Sequence, residues 1–153
     1  MRNAFFPVRE RADYRTVPWA IFTDPELARV GPTEPAARDR YGDRLRVYRY
    51  PFETLDRAIT DRAARGLVKI LAGPRGRILG AHVLGPQAGS LIHEIVLAMR
   101  AGARVGDLSR AVHAYPTLSE GIRRAADLYY ADLFETSWMG RALRAYLRRA
   151  LRR

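Results

Sequence analysis

The chain has 153 residues, 48% hydrophobic and 28% charged, with a formal net charge of +11; this fits one folded domain around a single core and does not fit a disordered chain. It has no cysteine, which excludes a disulfide framework, a thiolate zinc site and a redox-active thiol pair carried by this chain. No apolar run approaches the roughly 20 residues that span a bilayer, and the start, Met1-Arg2-Asn3-Ala4-Phe5-Phe6-Pro7, lacks the apolar stretch and cleavage site of a secretory signal, so the expected location is cytoplasmic.

Residues 1–16 show no clear period and read as an extended lead-in. Trp19-Ala20-Ile21-Phe22-Thr23 is a β-favouring run that stops at Asp24-Pro25, a turn signal because proline fixes its own φ and restricts its neighbour. Leu27-Ala28-Arg29-Val30-Gly31 resumes it. Thr33 is placed to cap a short helix that reaches about Arg40, with Glu34 and Pro35 in its first turn. Residues 45–50 alternate apolar and polar side chains, as a half-buried strand does. Residues 57–65 read as a polar connection.

Two strands are expected over residues 67–71 and 77–84. Ala72-Gly73-Pro74-Arg75-Gly76 between them supplies hairpin-turn dihedrals. A long helix over residues 90–101 ends at Gly102, with Leu91, Ile92, Ile95, Val96 and Met99 along one face. A short helix over 105–111 follows, then His113-Ala114-Tyr115-Pro116-Thr117-Leu118-Ser119-Glu120 opens a last helix over 118–134. Thr117 and Glu120 have capping-box spacing, and Tyr115-Pro116 is a candidate cis peptide.

Grouped strands with one hairpin and late helices predict an α+β fold, a largely antiparallel sheet covered by helices. The expected division is a lead-in over residues 1–16, a domain over 17–134 and a basic tail over 135–153. No Gly-x-Gly-x-x-Gly or phosphate-binding Gly-Lys-Ser/Thr loop is present, so the chain has no nucleotide cradle of those kinds.

Three stretches carry a family resemblance. Phe22-Thr23-Asp24-Pro25-Glu26-Leu27-Ala28-Arg29-Val30-Gly31 is the first, and Gly66-Leu67-Val68-Lys69-Ile70 with Ile78-Leu79-Gly80-Ala81-His82-Val83-Leu84-Gly85 is the second. The third is His113 to Glu120. In this order and spacing they resemble the C-terminal dimerisation (interface) domain of the pyridine nucleotide–disulfide oxidoreductases, which include dihydrolipoamide dehydrogenase, glutathione reductase and mercuric reductase. The resemblance covers about residues 17–131.

The resemblance implies a homodimer whose third stretch reaches the partner's flavin and redox disulfide. It implies FAD and NAD(P) for the full-length family. It also implies that this chain is a truncated or separately encoded interface domain, non-catalytic alone and binding neither cofactor by itself. The carried-over positions are Tyr115 and Glu120 at the acid/base loop and Tyr115 and Pro116 beside the flavin. Here the sequence departs from the family, because Tyr115 stands where the catalytic histidine is expected. A phenol with an ordinary pKa near 10 is a poor acid/base at neutral pH, which weighs against thiol exchange. Tyrosine at this position is reminiscent of the mercuric-reductase-like branch, although that branch's C-terminal cysteine pair is absent. Glu120 keeps an alternative reading as a plain capping residue.

His82, His93 and His113 match no metal-ligand spacing and read as packed or surface histidines; no metal is expected. Residues 136–153 hold six arginines and no acidic residue, against 21 basic and 16 acidic residues over 1–135. Leu143, Leu147 and Leu151 recur at i+4 among those arginines, the pattern of a basic amphipathic helix. It fits a helix docked on the domain, a weak contact with an anionic membrane surface, or an adaptor for a membrane or for nucleic-acid phosphates. Nucleic acid is not an expected partner, and a separately encoded flavin/NAD(P)-domain chain is the alternative one.

Overall fold

The computed structural model describes residues 13–136 and, singly, Phe5, Gly140, Ala142, Arg144 and Tyr146. Five strands form one sheet: β1 (Pro18–Ile21), β2 (Leu27–Val30), β3 (Arg46–Pro51), β4 (Leu67–Ala72) and β5 (Ile78–Leu84), in the order β1-β2-β5-β4-β3. Every pairing is antiparallel. Over residues 13–136 the helices that accompany it are α1 (Glu34–Tyr41), α2 (Asp56–Thr60), α3 (Ala88–Arg100), α4 (Val105–Arg110) and α5 (Glu120–Thr136). The α+β expectation holds. The basic helix expected over 135–153 lies, apart from Glu135, Thr136 and the single positions above, outside the described residues.

Strand alternation sends Ala28, Val30, Val68, Ile70, Ala81 and Val83 to one sheet face, where they pack with Ile92 and Ile95 of α3, Leu108 of α4 and Ile122 and Ala125 of α5. The other face is covered in part by α1, through Ala37, Leu45, Leu71 and Leu79. Thr33 caps α1 as its sequence indicates, accepting the Ala36 N–H. The hairpin forms with Arg75 and Gly76 both at positive φ. On α3 the deepest stripe is Ala88, Ile92, Ile95 and Ala98, while Leu91, Val96 and Met99 flank it half-buried. The five expected residues all lie in or against the core, and the small Ala88 and Ala98 complete the buried stripe.

Two local expectations change. The polar connection contains α2, whose Ala58 is fully buried; one apolar contact secures a helix too short to show periodicity. The Thr117–Glu120 capping box is replaced. The Thr117 hydroxyl donates to the Ala114 carbonyl at 2.7 Å and lies 2.9 Å from Ser119 Oγ, and the helix starts at Glu120 rather than Leu118. A polar tie joins α5 to the sheet, where Tyr48 donates to Asp132 at 3.0 Å. Burial and that carboxylate together raise the Tyr48 phenol well above its ordinary value.

Candidate functional site

The segment after α4 is held from below and left bare above. His113 anchors it, with Nδ1 3.0 Å from the Ala111 carbonyl and Nε2 2.9 Å from Glu94 Oε1 on α3. The two histidine contacts and the inward turn of Thr117 fix a short arch. Its crest is the Tyr115–Pro116 peptide, which is cis; the Asp24–Pro25 peptide, read from sequence only as a turn, is cis as well. Val112 is 99% exposed and Tyr115 67%, so the arch projects rather than packs.

Tyr115 does not hydrogen-bond to Glu120. Its hydroxyl donates to Asp56 Oδ2 at 2.7 Å, a partner 59 residues earlier in the chain. The Asp56 hydrogen bond, and then its charge, raise the Tyr115 phenol above its ordinary 10.0. At neutral pH the phenol is thus an O–H donor already committed to a carboxylate. Glu120 is 5% exposed and forms ion pairs with Arg123 at 2.8 Å and Arg124 at 3.2 Å. Those partners are one turn along the same helix, at the i+3 and i+4 positions where side chains meet.

Asp56 is the residue sequence reading missed. It opens α2 with no side-chain cap at Leu55, so no local motif flags it. Phe52 puts it in place. The ring is fully buried beneath the turn between β3 and α2, and the Phe52 backbone N–H donates to the Gly66 carbonyl at 3.0 Å. Gly85, at φ +145, leaves the room: a Cβ there would lie 2.4 Å from the Phe52 ring.

This arrangement presents an edge and offers no cradle. Two cavities, of about 300 and about 1120 Å3, are lined by residues other than Tyr115 and Pro116. Among the described residues no three His, Asp or Glu side chains converge as metal ligands, and no helix is long and apolar enough to cross a membrane.

Residues 17–126 match the family described as pyridine nucleotide-disulphide oxidoreductase, dimerisation domain. The mitochondrial dihydrolipoyl dehydrogenase of Pisum sativum is 43% identical over 119 residues, covering 77% of this chain and 24% of that protein. The Homo sapiens counterpart is 44% identical over 114 residues, covering 74% of this chain and 22% of its own length. Among solved structures, LpdA from Mycobacterium tuberculosis superposes with a TM-score of 0.75 at 30% identity, covering 84% of this chain and 28% of that one. The HOCl-induced flavoprotein disulfide reductase RclA from Escherichia coli gives 0.76 at 28% identity, covering 83% and 30%. The chain spans about a quarter of the length of the relatives it matches.

Proposed function

The chain belongs to the dimerisation-domain family of the pyridine nucleotide-disulphide oxidoreductases, and from that premise we propose that it is a homodimerising interface module, non-catalytic by itself. The observation that carries this reading is bare apolar surface beside the arch. Leu97 is 70% exposed and lies on α3 one turn from Glu94, the residue that ties down His113, while Val112 on the arch is 99% exposed. A two-fold axis through this region would cover both side chains, each meeting the same patch of a second copy. Sedimentation equilibrium is expected to give a dimer, and Leu97→Glu to give a monomer of unchanged circular dichroism, because a buried unpaired carboxylate opposes the interface. A monomeric wild-type chain, or a dimer that ignores the substitution, would sink the proposal.

Within that reading Tyr115 and Pro116 form the edge that meets a flavin, and Tyr115 and Glu120 occupy the family's acid/base positions. Here the phenol orients by donating a hydrogen bond, and Glu120 steadies the helix start through its two arginines. FAD and NAD(P) belong to the full-length family; neither is bound by this chain alone, a reading supported by the absence of a dinucleotide fingerprint in the sequence. A second reading, in which the chain completes a flavin site on a separate polypeptide, is favoured by the projection of Tyr115. It requires a neighbouring reading frame with a Gly-x-Gly-x-x-Gly element and a cysteine pair.

For the tail we propose weak peripheral contact of a cytoplasmic protein with an anionic membrane. Its support is the sequence alone: six arginines over 136–153 with leucines at 143, 147 and 151. Co-sedimentation with phosphatidylserine vesicles is expected to weaken steeply with salt and to vanish on deleting 136–153. Equal binding by the shortened chain would end that idea.

A further inference from the structure

The larger cavity, about 1120 Å3, lies at the opposite end of the sheet from the Tyr115 arch. Tyr115 is tied to Asp56, just past the end of β3. The cavity instead opens where β2 and β4 finish and β5 begins, between the lead-in turn, α1, the hairpin loop and the segment after α3. Six arginines line it against a single carboxylate, Asp13.

That carboxylate is already used. Asp13 pairs with Arg15 at 2.9 Å, and the Arg15 hydrogen bonds hold its carboxyl down at about 2. The other arginines, Arg29, Arg40, Arg75, Arg77 and Arg104, make no ion pair among the described residues. Like charges gathered in a concave wall raise the local potential and attract a multiply charged anion. Arg29 adds a second sign: its Nε is buried without a hydrogen-bond partner, a donor left over in a half-buried side chain.

Aromatic surface accompanies the charge. Trp19, Tyr14 and Tyr41 line the same cavity. The Arg29 guanidinium lies 4.6 Å from the Trp19 ring centroid and Arg40 lies 5.6 Å from that of Tyr41, while Tyr14 is 82% exposed. Guanidinium forks suit phosphate oxygens, and the exposed ring of Tyr14, on which no guanidinium of the described residues is stacked, suits a base. The volume, about 1120 Å3, is slightly above the usual range of about 300–1,000 Å3 for a small-molecule site, room enough for a nucleotide with its water. We propose that this cavity binds a nucleoside polyphosphate, with Arg29, Arg77 and Arg104 on the phosphates and Tyr14 beside the base.

The test uses the full chain carrying Trp138→Phe, which leaves Trp19 as its one indole, and follows Trp19 fluorescence on titration with ATP, inorganic tripolyphosphate and adenosine. Saturable quenching by ATP is expected, weakening steeply with added salt. R77Q/R104Q, whose side chains are exposed and whose fold a melting curve checks, is expected to raise the Kd about tenfold or more; Arg65→Gln, at the other end of β4, is expected to leave it unchanged. No response to millimolar ATP overturns the site. Equal affinity in R77Q/R104Q overturns it too, since the phosphates are then held by groups other than the two assigned to them. Tripolyphosphate binding as tightly as ATP overturns the nucleoside part, and adenosine binding as tightly overturns the phosphate part.

Discussion

Phe52→Ala is expected to cost about 3–5 kcal/mol of folding stability, the range for truncating a fully buried phenylalanine, and to sit toward the upper end. The reason lies in the neighbours. Gly66, Gly85 and Gly121 all face the ring, at distances where an added Cβ would lie 3.0, 2.4 and 3.2 Å from it. Glycines have no side chain with which to refill the space, so the cavity stays open and the lost dispersion contacts are not recovered. The consequence reaches the arch, because the turn that begins at Phe52 carries Asp56 to the Tyr115 hydroxyl. Urea unfolding monitored by circular dichroism reads the stability, and the ultraviolet titration of the tyrosines reads the arch. With Asp56 adrift, the Tyr115 phenol is expected to titrate closer to its ordinary 10.0. A loss below about 1 kcal/mol would show that the ring is not the wedge beneath this site.

That dependence on Phe52 explains which parts of the molecule were legible from sequence. The β4–β5 hairpin was, because its turn residues and its alternation are local statements; so was the Thr33 cap. The family's third stretch located the arch; for Tyr115-Pro116 the sequence offered a cis bond only as a candidate, which the structure bears out. Asp56 was invisible, since its bond to Tyr115 spans 59 residues and α2 has five residues, too few for an amphipathic period. Thr117 and Glu120 had the right spacing for a cap, yet two interactions outbid it. The threonine hydroxyl reached the Ala114 carbonyl, and the carboxylate reached Arg123 and Arg124. Spacing states what a pair is able to do; competing partners decide what it does. The arginine-lined cavity escaped for a related reason. Its six arginines come from five separate segments, so the sequence shows them only as excess charge.

Acid is expected to destabilise this fold through His82. His82 lies on β5 with Arg29 of β2 and Lys69 of β4 as its register partners, a row of cations on the face that α1 only partly covers. Glu34 of α1 answers that row but spends its carboxylate on Arg49, Arg38 and Lys69, and His82 Nδ1 is buried without a hydrogen-bond partner. Burial first, then the charges of Lys69 and Arg29, bring His82 from 6.5 down to about 4, with Glu34 opposing. The folded value is therefore below the unfolded one. Above pH 6.5 neither state takes the proton and the full stability is present; as pH falls from 6.5 toward 4 the unfolded chain binds a proton that the native ring refuses, and stability drains away. The full shift corresponds to about 3 kcal/mol, and to about 2 kcal/mol once solvent screening of an incompletely buried ring is discounted. Urea unfolding at about pH 7 and about pH 4.5, compared between the native chain and His82→Gln, isolates this share because the carboxylates common to both cancel. The native chain is expected to lose about 2 kcal/mol more than the variant across that interval; equal losses would mean that the imidazole takes up its proton in the folded state as readily as in water.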